Sequence, residues 1–192
     1  MYQTLRRIAR VGVITETPPK PADEDIVAAR LQEDILRTLG RALTIRHVDA
    51  GSCNACELEA HALMNPYYNI EGLGIRFVAS PRHADALLVT GPVSQHMAIA
   101  LQRTYDATPE PKLVIAAGDC ACGNGIFADS YATIGAVDRM LPVDVRIPGC
   151  PPSPTALLQG ILAAITTAAP PPPRIEPTLD EPADPKTSPS VD

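Results

Sequence analysis

Aromatic side chains are scarce in this chain, which has no tryptophan, two phenylalanines and five tyrosines among its 192 residues. Valine, isoleucine, leucine and alanine must therefore fill the core. Positive charge is also in short supply, because 16 lysines and arginines face 22 acidic residues and leave a formal net charge of −6. This balance argues against a nucleic-acid-binding surface.

Long hydrophobic runs are missing as well. A transmembrane helix needs roughly 18 or more consecutive apolar residues, whereas the nearest approach, residues 156–169, is interrupted by glutamine, glycine and two threonines. Arg6 and Arg7 suggest a twin-arginine signal, but the apolar run after them is too short and ends in Glu16. We therefore expect a chain that is not exported and stays in the reducing cytoplasm.

Cysteine, by contrast, is well represented. In a reducing compartment it is typical of metal or redox sites rather than of disulfides. A free cysteine is often only a small buried hydrophobic residue, but these lie in loops rich in glycine, proline and asparagine. The five positions are Cys53, Cys56, Cys120, Cys122 and Cys150.

The chain divides into an expected extended arm (1–22), an α/β domain (23–169) and an acidic, proline-rich tail (170–192) that cannot fold alone. Within the domain, short apolar strands alternate with amphipathic helices, which is typical of a parallel sheet covered by helices on both faces. Strands are predicted near 43–48, 75–79, 86–90, 112–117 and 143–147. Helices are predicted over 23–43, 53–65, 94–105 and 153–168, the last two capped by Ser94 and Ser153.

Every cysteine follows the end of a predicted strand, which is where open α/β sheets bind their ligands. We interpret these loops as the holders of one iron–sulfur cluster, whose width suits ligands from several loops. Glycines 118, 123, 125 and 149 would keep side chains away and let backbone N–H groups point at sulfur.

A zinc site is the alternative metal centre. Zinc sites usually pair two short-spaced units, whereas long stretches separate Cys56 from Cys120 and Cys120 from Cys150. A zinc-stabilised adaptor without a redox role therefore remains the less favoured hypothesis. Four ligands are needed and five cysteines are present, and spacing alone does not choose between Cys120 and Cys122.

Four segments carry a resemblance to a known family: 51–59 (GSCNACELE), 80–92 (SPRHADALLVTGP), 118–121 (GDCA) and 142–152 (PVDVRIPGCPP). They resemble the small iron–sulfur subunit shared by respiratory complex I and the membrane-bound, energy-converting [NiFe] hydrogenases. The hydrogenase-4 and formate hydrogenlyase branch is the most similar. The resemblance spans about residues 43–165 and does not include the tail.

The resemblance implies a flavodoxin-like fold and one [4Fe–4S] cluster. It implies an electron-transfer component without catalytic residues of its own, which relays single electrons between ferredoxin-like subunits and a large subunit. The complex would be peripheral on the cytoplasmic face of the membrane. Cys122 would be the spare cysteine, and the implied ligands are Cys53, Cys56, Cys120 and Cys150.

Three departures qualify the resemblance. Complex I has adjacent cysteines at the first site, whereas Cys53 and Cys56 are three apart, as in the hydrogenases. This favours a hydrogenase-type cluster, with a complex I-like quinone reductase subunit as the alternative. Ala55 stands where glycine is usual. The extra cluster domain of classical uptake hydrogenases has no counterpart, so we expect a separate electron partner.

Further polar residues carry smaller expectations. Glu57 and Glu59 suit a helix N-terminus, and either could serve a proton path, with Glu59 favoured. Arg82 and His83 could place donors near the cluster or could simply stabilise a turn. Asp119 is expected to cap its own loop.

Overall fold

The computed structural model describes residues 41–127 and 130–167, together with the single positions Arg6 and Glu33. The two long stretches form one five-stranded parallel sheet with helices on both faces, and a separate pair of short antiparallel strands. The α/β class predicted from the sequence is confirmed.

Several predicted segments lie outside the described residues. These are nearly all of the arm (1–22) and of the helix predicted over 23–43, and the whole tail (170–192). The predicted end of that helix is wrong, because Leu43 is the first residue of a strand and pairs with Ile75 in the sheet. The alternating, β-branched character of the sequence that follows explains this outcome.

The strands lie close to their predicted positions, and the last three sheet strands follow one another in space. The sheet order is β2-β1-β3-β5-β7, with every pairing parallel. This is the flavodoxin-like order, in which the chain switches direction between β1 and β3. The seven strands are β1 (Leu43–Asp49), β2 (Ile75–Phe77), β3 (Ala86–Thr90), β4 (Val93–Ser94), β5 (Leu113–Ala117), β6 (Thr133–Gly135) and β7 (Val145–Ile147).

Four α-helices and two 3-10 helices accompany the strands in the described part of the chain, and the last helix follows the last strand. The predicted caps are confirmed: the Ser94 hydroxyl accepts from the Met97 N–H at 3.3 Å, and the Ser153 hydroxyl accepts from the Ala156 N–H at 3.2 Å. The α-helices are α1 (Ala55–Ala62), α2 (Gln95–Ala107), α3 (Asp119–Cys122) and α4 (Pro154–Thr167), and the 3-10 helices are Pro81–His83 and Val137–Arg139.

Strand β3 is buried on both faces. Ala86 and Leu88 point into the core beneath α1 and α4, whereas Leu87 and Val89 point into the second core, beneath α2. Its continuous apolar run is the pattern expected of a central parallel strand. In the described residues, no helix combines the length and apolar character needed to cross a bilayer.

Helix α4 packs unusually closely on the last strand of the sheet. A methyl group at Gly160 would collide with the side chain of Ile147, the final residue of β7. Glycine at this helical position therefore serves the helix–sheet contact that also fixes where the following loop, with Cys150, begins.

We expect Gly160→Ala to destabilise the protein by about 1–3 kcal/mol through overpacking, although alanine favours helix by about 1 kcal/mol. Ile147→Ala removes the obstructing atoms, so adding Gly160→Ala to that variant should be neutral or stabilising. Urea unfolding of the four proteins gives the coupling energy. Additive effects of the two substitutions would contradict the proposed contact.

Candidate functional site

The first cysteine pair sits in the turn between β1 and α1. The Asp49 carboxylate accepts from the N–H groups of Gly51 and Ser52, both at 2.8 Å, and so fixes the end of the strand. Asn54 then adopts a left-handed conformation (φ 73°) at the helix N-cap. Cys53 therefore lies just before α1 and Cys56 lies in its first turn.

Gly118 allows the loop after β5 to lie against the first cysteine pair. Gly118 has a φ of +95°, and a Cβ there would lie 2.6 Å from the Cys56 sulfur. A side chain at Gly125 would collide with the Cys120 sulfur. Both glycines thus leave room for thiols, as the sequence predicted. Gly149 instead makes room for the backbone of Pro152, because a Cβ at Gly149 would lie 2.6 Å from the Pro152 Cα.

Two loops that are distant in sequence are joined by Asp119. Its N–H donates to the Gly149 carbonyl at 2.8 Å, and its carboxylate accepts from the Gly149 N–H at 2.7 Å. The prediction that Asp119 caps its own loop is therefore wrong for its side chain. The reciprocal pair holds the residue before Cys120 beside the residue before Cys150.

The thiols of Cys53, Cys120 and Cys150 lie close enough to that of Cys56 for their charges to affect its ionisation. Burial raises the pKa of Cys56 to about 12, and the charges of Glu57, Cys53, Cys120 and Cys150 add to the effect. Burial likewise raises the pKa of Cys120, with contributions from Cys150 and Cys53, while a hydrogen bond from the Phe127 N–H opposes it.

The fifth cysteine points elsewhere. The Cys122 thiol donates to the carbonyls of Ala116 and Ile147, both at 3.7 Å, and packs against the core beneath α2. Burial raises its pKa, and the charges that modify it come from Arg146, Asp119 and Asp138 rather than from another cysteine. Residues two apart on a helical turn do not share a face, which separates Cys122 from Cys120.

The donor set fits an iron–sulfur cluster chemically. Four cysteine sulfurs from three loops, with glycine beside two of them, are the ligands such clusters take from proteins. Cys53 and Cys150 are exposed, whereas Cys56 and Cys120 are half-buried. Within residues 41–127 and 130–167, no three or more histidine, cysteine, aspartate or glutamate side chains are arranged to hold a single metal ion.

A buried polar group adjoins the first cysteine pair. Glu57 is only 5% exposed; it accepts from the Ser52 hydroxyl at 2.5 Å and lies 3.7 Å from Nε2 of His47. That nitrogen also lies 3.1 Å from the Thr90 hydroxyl. Burial lowers the pKa of His47, and the charge of Glu57 opposes the shift.

The sequence favoured Glu59 as the functional carboxylate, but the structure places Glu57 in this buried network and leaves Glu59 half-buried at the surface. The sequence also gave His47 no role beyond its place in a strand. The available signal was position: His47 continues the inward-facing series of Leu43 and Ile45.

Arg82 and His83 do not lie near the cysteine loops, so their predicted role as donors to a cluster is wrong. Their 3-10 helix precedes β3, and the His83 carbonyl accepts from the hydroxyl of Thr44 near the start of β1 at 2.6 Å. The cysteines follow the opposite ends of the strands. Five residues of strand place Asp49 roughly 16 Å from Thr44.

Comparison with known proteins relates this chain to subunits of oxidoreductase complexes. Residues 53–164 match the family described as NADH ubiquinone oxidoreductase, 20 Kd subunit. The chain is 44% identical over 135 residues to a probable membrane-bound hydrogenase subunit of Pyrococcus furiosus, covering 70% of this chain and 81% of that protein. It is 42% identical over 147 residues to formate hydrogenlyase subunit 7 of Escherichia coli, covering 77% and 58%.

Two further likenesses extend this set. An NADH-quinone oxidoreductase subunit of Desulfovibrio desulfuricans is 46% identical over 123 residues, covering 64% of this chain and 66% of that protein. A chain in the solved structure of the membrane-bound sulfane sulfur reductase, an archaeal respiratory membrane complex, superimposes with a TM-score of 0.59 at 34% identity. The match covers 71% of this chain and 74% of that one.

The bridge made by Asp119 can be tested against an exposed aspartate. Asp119→Ala leaves the Gly149 N–H without its acceptor, and we expect a loss of about 1–3 kcal/mol in the free energy of unfolding. Asp138, which forms a surface ion pair with Arg146 at 2.9 Å, is the control. Asp138→Ala should cost about 0–1 kcal/mol. Equal losses in urea unfolding would show that the bridge adds nothing.

Proposed function

Because the chain belongs to the family of the NADH ubiquinone oxidoreductase 20 kDa subunit, we propose that it is an electron-transfer subunit. Its ligands for one [4Fe–4S] cluster are Cys53, Cys56, Cys120 and Cys150. The observation that carries the proposal is that the thiols of Cys53, Cys120 and Cys150 all lie close enough to Cys56 to raise its pKa, whereas the charges that modify the pKa of Cys122 come from no other cysteine.

Bound there, the cluster supplies one-electron transfer at a potential set by its surroundings. The chain's own residues position the ligands: Gly118 leaves room for the sulfur of Cys56, and Asp119 fixes the spacing of the two later loops. The Phe127 N–H, by donating to the Cys120 sulfur, favours its thiolate.

Such a subunit would work within a complex. Cys53 and Cys150 are exposed, and large apolar side chains near the cysteine loops face solvent: Leu58 is 62% exposed and Ile126 is 85% exposed. Exposed apolar surface around a functional site is typical of a binding surface. We assign it to a hydrogenase-like or complex I-like large subunit, with a ferredoxin-like subunit as the other electron partner.

The relatives bear the names of membrane-bound complexes. We propose that this chain reaches the membrane only through partner subunits and lies on its cytoplasmic face. The arm (1–22), the α/β domain (23–169) and the tail (170–192) remain the proposed division of the chain.

Iron content tests the cluster assignment. Anaerobic purification without chelators should give a brown protein with about four iron atoms per chain and an electron paramagnetic resonance signal on reduction. Cys150→Ser should lose the signal, because one of four ligands is removed. Cys122→Ser, the matched control, should keep it. A colourless protein with stoichiometric zinc would instead favour the adaptor.

A quinone reductase subunit is the second candidate, because one relative with 46% identity is a subunit of an NADH-quinone oxidoreductase. The separation of Cys53 and Cys56 favours the hydrogenase-like assignment. The intact complex, isolated through a tag on this chain, should therefore reduce a viologen dye with hydrogen. Quinone reduction by NADH without hydrogen-dependent dye reduction would reverse the order of the two candidates.

A further inference from the structure

A buried carboxylate oxygen lies beside the first cysteine pair without a partner. Glu57 is only 5% exposed, and its Oε2 accepts from the Ser52 hydroxyl at 2.5 Å. Its other oxygen, Oε1, is enclosed by the protein and has no hydrogen-bond partner. Leaving a buried acceptor unsatisfied costs stability, and such an atom in a folded protein calls for an explanation.

His47 is positioned to supply the missing donor. Its Nε2 lies 3.7 Å from Oε1 of Glu57, which is too far for a hydrogen bond but within the range of an ion pair. The same nitrogen lies 3.1 Å from the Thr90 hydroxyl. A neutral ring can accept from that hydroxyl through Nε2. A protonated ring instead carries N–H at both nitrogens, so that Nε2 can donate to Glu57.

A cavity of about 280 Å³ gives His47 access to solvent. It opens at the edge of the sheet because β2 ends at Phe77, opposite Ile45, while β1 continues to Asp49. The His47 side chain lines this cavity and is 21% exposed, whereas Glu57 does not line it. Protons can therefore reach the ring without crossing the packed core. The other lining residues are Arg46, Ala60, His61, Met64, Phe77, Val78 and Ala79.

The charged groups around His47 come from β1 and α1. Burial lowers its pKa, which keeps the ring neutral near pH 7. The charges of Glu57 and Asp49 favour the protonated ring, and those of His61 and Arg46 oppose it. A further negative charge on the side of Glu57 would raise the pKa of His47.

An electron that reaches the proposed cluster would supply such a charge. Glu57 directly follows the proposed ligand Cys56, and its charge contributes to the raised pKa of that thiol. His47 adjoins the same carboxylate and stands six residues before Cys53, so it is not part of the ligand loop itself. Charges are poorly screened in a region with so little solvent. Reduction therefore favours a proton on His47.

We propose that His47 is a proton-accepting site coupled to electron transfer, which takes up a proton from solvent through the cavity when the subunit is reduced. One electron enters the subunit and one proton forms a new N–H bond on the ring, which then donates to Oε1 of Glu57. On oxidation both leave. This inference rests on the proposed function, because it needs a one-electron centre beside Cys56.

Reduction potentials measured over about pH 5 to 9 test the proposal. The full-length, cluster-containing protein is titrated while its electron paramagnetic resonance signal is followed. The midpoint potential should fall by up to about 59 mV for each tenfold drop in proton concentration, since one proton accompanies one electron. The slope should vanish at low pH, where the ring is protonated in both states, and at high pH, where it is neutral in both. A potential independent of pH throughout would overturn the proposal.

Two variants identify the histidine responsible. His47→Gln cannot bind the proton but keeps a polar group for the Thr90 hydroxyl, and it should give a flat profile. His61→Gln removes the other histidine of the same cavity and should keep the slope of the parent protein. Equal slopes in all three proteins, or loss of the slope in His61→Gln alone, would refute the assignment to His47.

Direct measurement of proton uptake keeps the test decisive even if His47→Gln folds poorly. Electrochemical reduction of the parent protein in weakly buffered solution with a pH indicator should consume up to one proton per electron within the sloping range. Absence of uptake there would contradict the proposal. Iron content is measured on the same samples. A protein without iron would refute the cluster and this inference with it, whereas an iron-loaded protein with a flat profile would refute only the role of His47.

Discussion

The parallel direction of the five sheet strands is the constraint on which the site depends. Parallel strands place all their carboxyl ends at one edge, so loops far apart in sequence meet there without any contact between the intervening residues. The segments after β1, β5 and β7 each bring cysteine to that edge. A single antiparallel strand in this set would carry its cysteine to the opposite edge, more than the width of a cluster away.

Placement at one edge of the sheet would not by itself fix the distances between the thiols. Two local features bring the loops closer together. Two hydrogen bonds between Asp119 and Gly149, one from the Asp119 N–H and one to its carboxylate, fix the relative position of the two later loops, and Gly118 lets the first loop approach them. The same closeness has an electrostatic cost, because thiolates at Cys53, Cys120 and Cys150 would raise the pKa of Cys56. Iron ions would offset this repulsion, since a coordinated thiol loses its proton.

The sequence predicted the sheet, the helix caps at Ser94 and Ser153, and the common location of the cysteines, because periodicity and capping are local signals. It could not separate Cys120 from Cys122, since that choice depends on how one helical turn is oriented. It also missed the pairing of β4 with β6, whose strands are too short to show a period. The prediction for Arg82 and His83 failed because a sequence motif does not show at which edge of the sheet its residues lie.

In strand β1, the sequence pattern does not explain every side chain, and the partners of individual polar atoms must be considered. Arg46 and His47 are adjacent polar residues in a strand whose neighbours Ile45 and Val48 are buried. Nε2 of His47 lies within hydrogen-bond distance of the Thr90 hydroxyl, so the burial of this ring is compensated within the fold. The buried Nε of Arg46 has no hydrogen-bond partner, so its burial costs stability that only the surrounding packing offsets.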